Sequence, residues 1–282
     1  MVNIKITADS TCDLSPELVE AYGIEIIPLC VIKDGKSFRD GVDITPEDIF
    51  AHVAGGGDLC TTSALNVSEY QEKFAELSPK YDAVIHINVS SDMSSSFQNA
   101  TIAAKDFQNV FAVDSRNLST GSGHVVLRAA EMAKSGMAPA EIVERLKELT
   151  GRVEASFVID RLDYLKKGGR CSSLAVLGAN LLNLKPCIEV RDGAMHVAKK
   201  YKGSFEKCLR KYVRDRLEGR TDIDTSRIFI THPACAPEVV EMVRETVEEI
   251  MHFDEVLITR AGCTVSSHCG PNTLGILFMR KA

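Results

Sequence analysis

Apolar and polar positions along the first half of the chain predict strands separated by helices. Residues 2–8 alternate apolar with polar side chains, whereas 83–89 and 110–113 are almost continuously apolar, so each is predicted to be a β-strand. A β-rich run at 24–32 is followed by a turn and a short return strand. Helices are predicted between and after these strands, at 16–22, 46–54, 66–77, 97–107, 124–134 and 139–149. Strands that alternate with helices predict a parallel sheet built from βαβ units.

The second half of the chain shows a different order of elements. Strands are predicted at 155–159, 228–231, 256–259 and 274–279. Helices are predicted at 162–167, 174–184, 204–217 and 237–251. Two short apolar runs flank Asp192-Gly193, a dipeptide typical of tight hairpin turns. A hairpin beside helix-connected strands predicts a mixed sheet with helices on one face, and we place the domain boundary near Gly151.

Small hydroxyl-bearing side chains follow several of the predicted strands of the first half. A polar loop begins at Asp9, and two further polar loops cover 90–96 and 119–123. Because ligands of open parallel sheets bind beyond the carboxyl ends of the strands, we expect these loops to meet at one edge of the sheet. The hydroxyl-rich loop predicted at 61–63 is expected to join them. The pattern therefore predicts one crevice lined by Ser and Thr.

Clustered hydroxyls suit the binding of an anion. Backbone N–H groups at helix N-termini also bind anions, and the helix dipole adds roughly half a positive charge there. A carboxylate and a phosphate would fit equally well. A serine at such a place is often only a helix cap, but capping one helix does not require the three consecutive serines at 94–96.

Two enzyme classes stay open on these residues. An esterase would use Ser94 or Ser95 as nucleophile and His268 as base, although the Gly-x-Ser-x-Gly pattern typical of such hydrolases occurs nowhere. A small-molecule kinase or another phosphate-handling enzyme would use the glycine-containing segment 121–124, although the P-loop lysine is missing. From the residues alone, the chain is an anion-binding α/β protein.

Composition and charge narrow the range of partners. The chain has 282 residues, of which 45% are hydrophobic and 26% charged, and its formal net charge is −6. A net acidic chain without basic runs argues against nucleic-acid binding. No apolar run approaches the ~20 residues that cross a bilayer, and the first residues lack the pattern of a signal peptide, so we expect no transmembrane segment and a cytoplasmic location.

The cysteines are expected to be free thiols. Nine is an odd number, no Cys-x-x-Cys occurs, and a cytoplasmic location is reducing. His232 with Cys235, and Cys263 with His268 and Cys269, leave a zinc site as an open alternative. We expect no metal.

Several separated segments resemble the DegV family, and they occur in the family's order. The resemblance covers nearly the whole chain, and it is most specific at 162–170, where the sequence reads Leu-Asp-Tyr-Leu-Lys-Lys-Gly-Gly-Arg. The other matching segments are 9–14 (Asp-Ser-Thr-Cys-Asp-Leu), 62–63 (Thr-Ser), 90–100, 113–123, 182–186 (Leu-Asn-Leu-Lys-Pro) and 268–271 (His-Cys-Gly-Pro).

The resemblance implies both a fold and a function. It implies an N-terminal three-layer α/β/α domain with a Rossmann-like parallel sheet at 1–151 and a C-terminal two-layer α/β domain with a mixed sheet at 152–282. It also implies a carrier without catalytic residues or cofactors, which binds a long-chain fatty acid such as palmitate, stearate or oleate. Members present the carboxylate to an ATP-dependent fatty acid kinase, which makes the acyl phosphate for phospholipid synthesis.

The resemblance also implies which residues bind the carboxylate. By position, Thr62 and Ser94 match hydroxyls that contact the carboxylate, and His268 matches the histidine beside it. The other candidates for the same polar cluster are Ser63, Ser95 and Arg170.

Overall fold

The computed structural model describes residues 2–171 and 184–282. The elements of the first half are β1 (Ile4–Asp9), α1 (Pro16–Ala21), β2 (Glu25–Ile27), β3 (Cys30–Lys33), β4 (Lys36–Arg39), α2 (Pro46–Ala54), β5 (Thr61–Ser63), α3 (Val67–Leu77), β6 (Ala83–Asn88), α4 (Ser96–Ala104), β7 (Val110–Asp114), α5 (Ser119–Lys134) and α6 (Pro139–Thr150).

Four strands of the first half form a parallel sheet between two layers of helices. The strand order is β2-β1-β6-β7, with every pair parallel. Because successive side chains of a strand point to opposite faces, Val84 packs with α3 and α4, while Ile85 packs with α5 and α6. The prediction of a three-layer α/β/α arrangement with a parallel sheet is confirmed.

The second half forms a larger, mixed sheet. Its elements are β8 (Val153–Ile159), α7 (Leu162–Gly168), β9 (Leu184–Arg191), β10 (Ala194–Lys202), α8 (Phe205–Leu217), β11 (Ile223–His232), α9 (Pro237–Ile250), β12 (Glu255–Arg260), α10 (Cys263–Cys269) and β13 (Thr273–Arg280). The strand order is β10-β9-β8-β13-β11-β12, in which only β11 and β12 pair in parallel among the described strands. The predicted mixed sheet and its hairpin are confirmed.

The two faces of the six-stranded sheet pack against different partners. Ile228 and Ile230 of β11 pack in one cluster with side chains of α8 and α9. The residue between them, Phe229, belongs instead to the cluster that contains Val125 of α5. Helix α5 is therefore a shared layer, with one sheet on each side of it, and the two halves have a common hydrophobic core.

Three sequence predictions differ from the structure. The predicted loop at 61–63 is a strand, because its β-branched threonines pair with β3 in a small antiparallel sheet. The predicted loop at 119–123 is the start of α5, where a Cβ on Gly123 would lie 2.8 Å from the backbone oxygen of Cys12. The predicted turn that contains His268 is the last turn of helix α10, which periodicity did not predict.

The helix predicted at 174–184 lies outside the described residues, except for residue 184, which begins β9.

Helix α10 is held at its N-terminus by two buried carboxylates from the first half of the chain. Asp40 accepts hydrogen bonds from the backbone N–H groups of Cys263 (2.7 Å) and Thr264 (3.0 Å), and Asp13 accepts one from Gly262 (2.8 Å). Carboxylates at this end of a helix satisfy N–H groups that lack partners within the helix, and they interact favourably with its dipole. Burial raises the pKa of Asp13 to about 8.

We expect Asp40→Ala to lower the free energy of unfolding by about 2–4 kcal/mol, because it leaves buried N–H groups of α10 without acceptors. Chemical denaturation measures this change. The matched control is Asp58→Ala, which removes a carboxylate from an exposed loop position and should change stability by less than about 0.5 kcal/mol. Equal effects of the two substitutions would contradict the role given to Asp40.

Candidate functional site

A cavity lies where the loops of the first half meet α7 and α10. About 680 Å³ of space, which includes open solvent, lies between its lining atoms. Its wall is mostly apolar, and the aliphatic and aromatic lining residues include Leu29, Val89, Met93, Leu118, Phe157 and Leu165. Polar side chains contribute to the wall from Thr62, Ser94, Arg170 and His268. The cavity therefore combines an apolar surface with a small number of polar groups.

Thr62 and His268 form the central polar contact of this cavity. The Oγ1 atom of Thr62 lies 2.7 Å from Nε2 of His268, although 206 positions separate the two residues in the sequence. Pairing with Val31 of β3 places Thr62, and the last turn of α10 places His268. The contact exists only because α10 of the second half packs beside the small sheet of the first half.

Ser94 lies on the same cavity wall, in the loop between β6 and α4. Its Oγ accepts a hydrogen bond from the backbone N–H of Ser96 (3.1 Å) and lies 2.9 Å from the Ser96 hydroxyl. When the Ser96 hydroxyl donates to Ser94, the proton of Ser94 is free to donate to a ligand. No described contact pairs Ser94 with His268, so the serine–histidine pair that an esterase would need is not formed in the described part of the chain.

His268 is neutral at pH 7. Burial, followed by the positive charge of Arg170, lowers the pKa of His268 to about 4. Its Nδ1 atom is buried and has no hydrogen-bond partner within residues 2–171 and 184–282. With its proton on Nε2, the imidazole donates to Thr62, and the hydroxyl proton of Thr62 is then free to point elsewhere.

Gly168 and Arg170 belong to the segment that covers the imidazole. A Cβ on Gly168 would lie 2.2 Å from Nδ1 of His268, so this close approach requires glycine. Arg170 is exposed, and its Nη1 donates to the backbone oxygen of Gly168 at 2.5 Å. Among the described lining residues, Arg170 alone carries a full positive charge, and its exposure places that charge on the solvent side of the cavity.

Five of the six residues expected in the polar cluster line this one cavity. They are Thr62, Ser63, Ser94, Arg170 and His268. The sixth, Ser95, is exposed at the N-cap position of α4 and does not line it.

The polar segment at 119–123 was expected to line the crevice with hydroxyl groups. Its serines instead form hydrogen bonds inside the fold. Ser119 donates to Asp13 at 2.5 Å, and the Ser122 hydroxyl lies 2.8 Å from that of Ser115. Leu118, directly before this segment, lines the cavity. The cavity therefore lies at the sheet edge expected from the sequence. At this point of the chain, however, its wall is formed by the apolar side chain of Leu118 and not by the hydroxyls of 119–123.

Two lining residues that carry a hydroxyl group were not singled out from the sequence. Thr11 falls in the first polar segment after β1, a signal that could have identified it. Thr264 lies on α10 and had no such signal, because that helix was not predicted.

A second, almost wholly apolar cavity lies against the first. About 350 Å³ of space, which includes open solvent, lies between its lining atoms. The residues shared by the two cavities are Leu118, Phe157, Val265 and Cys269. The shared residues make the two spaces neighbours, so an apolar ligand that displaced their side chains could extend from one into the other.

The described ranges show neither a membrane span nor a metal cluster. Within 2–171 and 184–282, no helix is both long and apolar enough to cross a bilayer. No three His, Cys, Asp or Glu side chains of this part of the chain gather where they could hold a metal ion. His232 and Cys235, one of the pairs with ligand-like spacing, form a local turn in which the backbone N–H of Cys235 donates to Nδ1 of His232 at 3.2 Å.

We expect Gly168→Ala to destabilise the protein by about 1–3 kcal/mol, because the added methyl group overlaps the imidazole of His268. Alanine normally stabilises a helix relative to glycine, so the sign of the effect is diagnostic. Chemical denaturation measures it, and Gly151→Ala, where the nearest contact of a Cβ is an ordinary 3.8 Å, is the control. A stabilised Gly168→Ala variant would contradict the described packing.

The buried histidine also predicts a pH dependence. The folded-state pKa of His268, about 4, lies below the ordinary histidine value of 6.5, so the unfolded chain takes up the proton first as the pH falls. The stability that depends on neutral His268 is complete above about pH 6.5 and is lost as the pH falls towards about 4. Relative to His268→Gln, the wild-type protein should lose stability across this window in denaturation series. Parallel pH profiles for the two proteins would be inconsistent with a buried, neutral His268.

Comparison with known proteins identifies the family to which the chain is similar. Residues 3–281 match the family model described as "Uncharacterised protein, DegV family". A DegV domain-containing protein of Caldanaerobacter subterraneus subsp. tengcongensis is 32% identical over 283 residues, covering 100% of both chains.

Solved structures show the same fold. A fatty acid-binding DegV family protein from Thermus thermophilus matches with a TM-score of 0.89 and 29% identity, covering 99% of this chain and 100% of that one. A stearic acid-binding protein from Eubacterium ventriosum matches with a TM-score of 0.84 and 25% identity, covering 99% and 98%. The family match over almost the whole chain and the identity to a curated relative lead to one conclusion: the chain belongs to the DegV family.

Proposed function

We propose that this protein binds one long-chain fatty acid without a covalent bond, with the carboxylate at Thr62, Ser94 and His268. The observation that carries the proposal is the hydrogen-bonded pair of Thr62 and neutral His268 in the wall of a mostly apolar cavity. The acyl chain would lie along the apolar wall. The fatty acid and stearic acid bound by the two structural relatives support this ligand class.

The polar groups of the cavity suit a carboxylate that is partly removed from water. Burying such a charge costs several kcal/mol unless it is paired or hydrogen-bonded. When His268 donates to Thr62 and Ser96 donates to Ser94, the hydroxyl protons of Thr62 and Ser94 are available to a ligand. Hydrogen bonds to a charged acceptor are the stronger kind. Arg170 adds a positive charge on the solvent side, and Ser63 adds a further hydroxyl to the same wall.

The apolar wall supplies the affinity for the tail. Each buried methylene contributes about 0.8 kcal/mol, so the fourteen methylenes of palmitate represent about 11 kcal/mol of gross stabilisation. Part of this is offset by the loss of translational and rotational freedom on binding. Palmitate, stearate and oleate all belong to the proposed ligand class.

We further propose that the protein is a cytoplasmic carrier and not an enzyme, and that it presents the carboxylate to an ATP-dependent fatty acid kinase for phospholipid synthesis. Two features support presentation to a partner. The polar group Arg170 is exposed on the solvent side of the cavity, and the carboxylate-binding hydroxyls line the same space. A carboxylate held there would lie nearer to solvent than the tail.

Extraction of the purified protein with organic solvent, followed by mass spectrometry, tests the ligand class. We expect close to one long-chain fatty acid for each protein molecule. ATP hydrolysis by the protein alone, with no extracted lipid, would instead favour the phosphate-handling enzyme left open by the sequence.

Single substitutions test where the carboxylate lies. We expect Ser94→Ala and Thr62→Val each to weaken palmitate binding by roughly 10- to 100-fold, because each removes one hydrogen bond to a charged group. Displacement of a fluorescent fatty acid from the delipidated protein measures the affinity. Ser91→Ala is the matched control, since Ser91 is exposed in the same loop and does not line the cavity. Unchanged affinity in both cavity variants would refute this placement of the carboxylate.

A further inference from the structure

Two buried hydroxyl groups in the cavity wall lack a hydrogen-bond partner in the part of the chain that the structure describes. Thr11 is 3% exposed and Thr264 is 8% exposed, and both line the same cavity. Within the described ranges, the Oγ1 atom of neither threonine has a hydrogen-bond partner. The carboxylate site described above uses neither of them.

Such hydroxyls are unfavourable unless something binds them. A buried polar group without a hydrogen bond costs free energy, and valine would fill the same space without that cost. The apolar residues that share this wall, among them Leu29, Val89 and Leu118, show that the fold accepts apolar side chains here. The two hydroxyls therefore indicate a ligand that supplies a hydrogen-bonding group.

The backbone places the two threonines in one region, away from the Thr62–His268 pair. Thr264 precedes His268 by four residues on α10, which corresponds to about 6 Å along the helix axis. One oxygen of Asp40 accepts from both the backbone N–H of Thr264 (3.0 Å) and the hydroxyl of Ser10 (2.9 Å), the residue beside Thr11. Asp40 thereby holds the segments of both threonines at the N-terminal end of α10.

The acyl chain would pass this region. Val265, next to Thr264, lines both the first cavity and the second, apolar one. A chain that begins at His268 and enters the second cavity beside Val265 and Ala261 would run along α10 towards its N-terminus. A group on one of the first carbons of the chain would then meet Thr11 and Thr264.

We propose that Thr11 and Thr264 form a second polar subsite, which binds a hydroxyl group near the carboxyl end of the acyl chain, so that the cavity selects hydroxylated long-chain fatty acids over unsubstituted ones. This inference rests on the proposed fatty acid function and adds the ligand subclass. Specificity built on hydrogen bonds is strong, because a ligand that lacks the group leaves the buried hydroxyls unpaired.

The neighbouring charges favour a neutral group over a second carboxylate. Asp40 bonds the backbone of Thr264, and Asp13 bonds that of Gly262 two residues earlier. The carboxylate of Asp40 beside the subsite disfavours another anion, such as the second carboxylate of a dicarboxylic acid. A threonine hydroxyl both donates and accepts, and so does a hydroxyl group of the ligand.

The test compares the affinities of palmitate, 3-hydroxypalmitate, 5-hydroxypalmitate and 16-hydroxypalmitate for the delipidated full-length protein. We expect one of the two acids hydroxylated near the carboxylate to bind roughly tenfold more tightly than palmitate, as expected for one additional hydrogen bond. The acid hydroxylated at its far end should show no such gain. Calorimetry or displacement of a fluorescent fatty acid gives each dissociation constant.

Three variants assign the preference to the subsite. Thr264→Val and Thr11→Val should each reduce the affinity ratio of hydroxylated acid to palmitate towards one, whereas Thr264→Ser keeps a hydroxyl and should keep the ratio. Valine matches the volume of threonine, and thermal unfolding checks that each variant is folded.

Each outcome decides the matter. A wild-type ratio near one overturns the inference and means that water satisfies the two hydroxyls. A ratio that is unchanged in both valine variants also overturns it, because both ligands then lose or keep affinity together. If palmitate binds and only the preference is missing, the proposed fatty acid function stands. If none of the four acids binds, that function fails and this inference with it.

Discussion

The contact on which the site depends is between helix α10 and two carboxylates from the other half of the chain. Asp40 and Asp13 satisfy the first N–H groups of a seven-residue helix that is too short to be stable alone. Both acids are buried, and Gly262 leaves room for them, since a Cβ there would lie 3.2 Å from Asp40 and 3.3 Å from Asp13. The position of α10 in turn determines where His268 lies.

The cavity follows from that placement. The imidazole of His268 reaches Thr62 on β5 and lies against Gly168 of α7, so three elements that are distant in sequence meet at one side chain. Burial keeps the imidazole neutral, which lets it orient the Thr62 hydroxyl without placing a full charge in an apolar wall. Among the lining residues within 2–171 and 184–282, Arg170 alone carries a full charge, and it lies on the exposed side. The wall of the cavity is thus mostly apolar, and its charged group faces solvent.

The shared core explains how two sheets keep this arrangement. Helix α5 packs against both, with Val125 in the same cluster as Ile85 of the parallel sheet and Phe229 of the mixed sheet. Because packed interiors behave as closely fitted solids, a shift of one sheet relative to the other would disturb that core. The geometry of the cavity therefore depends on contacts between the halves as well as on the residues in its wall.

Local signals in the sequence determined much of the architecture. Helices were predicted at 46–54 and 66–77, and α2 and α3 lie there, because each begins with capping bonds between residues only three apart. The motif resemblance placed Thr62 and His268 in one site, which agrees with the 2.7 Å contact. The tertiary structure alone decided that 61–63 is a strand, that 263–269 is a helix and that Thr264 lines the cavity, because the groups that stabilise these segments lie far away in the sequence: Asp40 and Cys263 are separated by 223 positions.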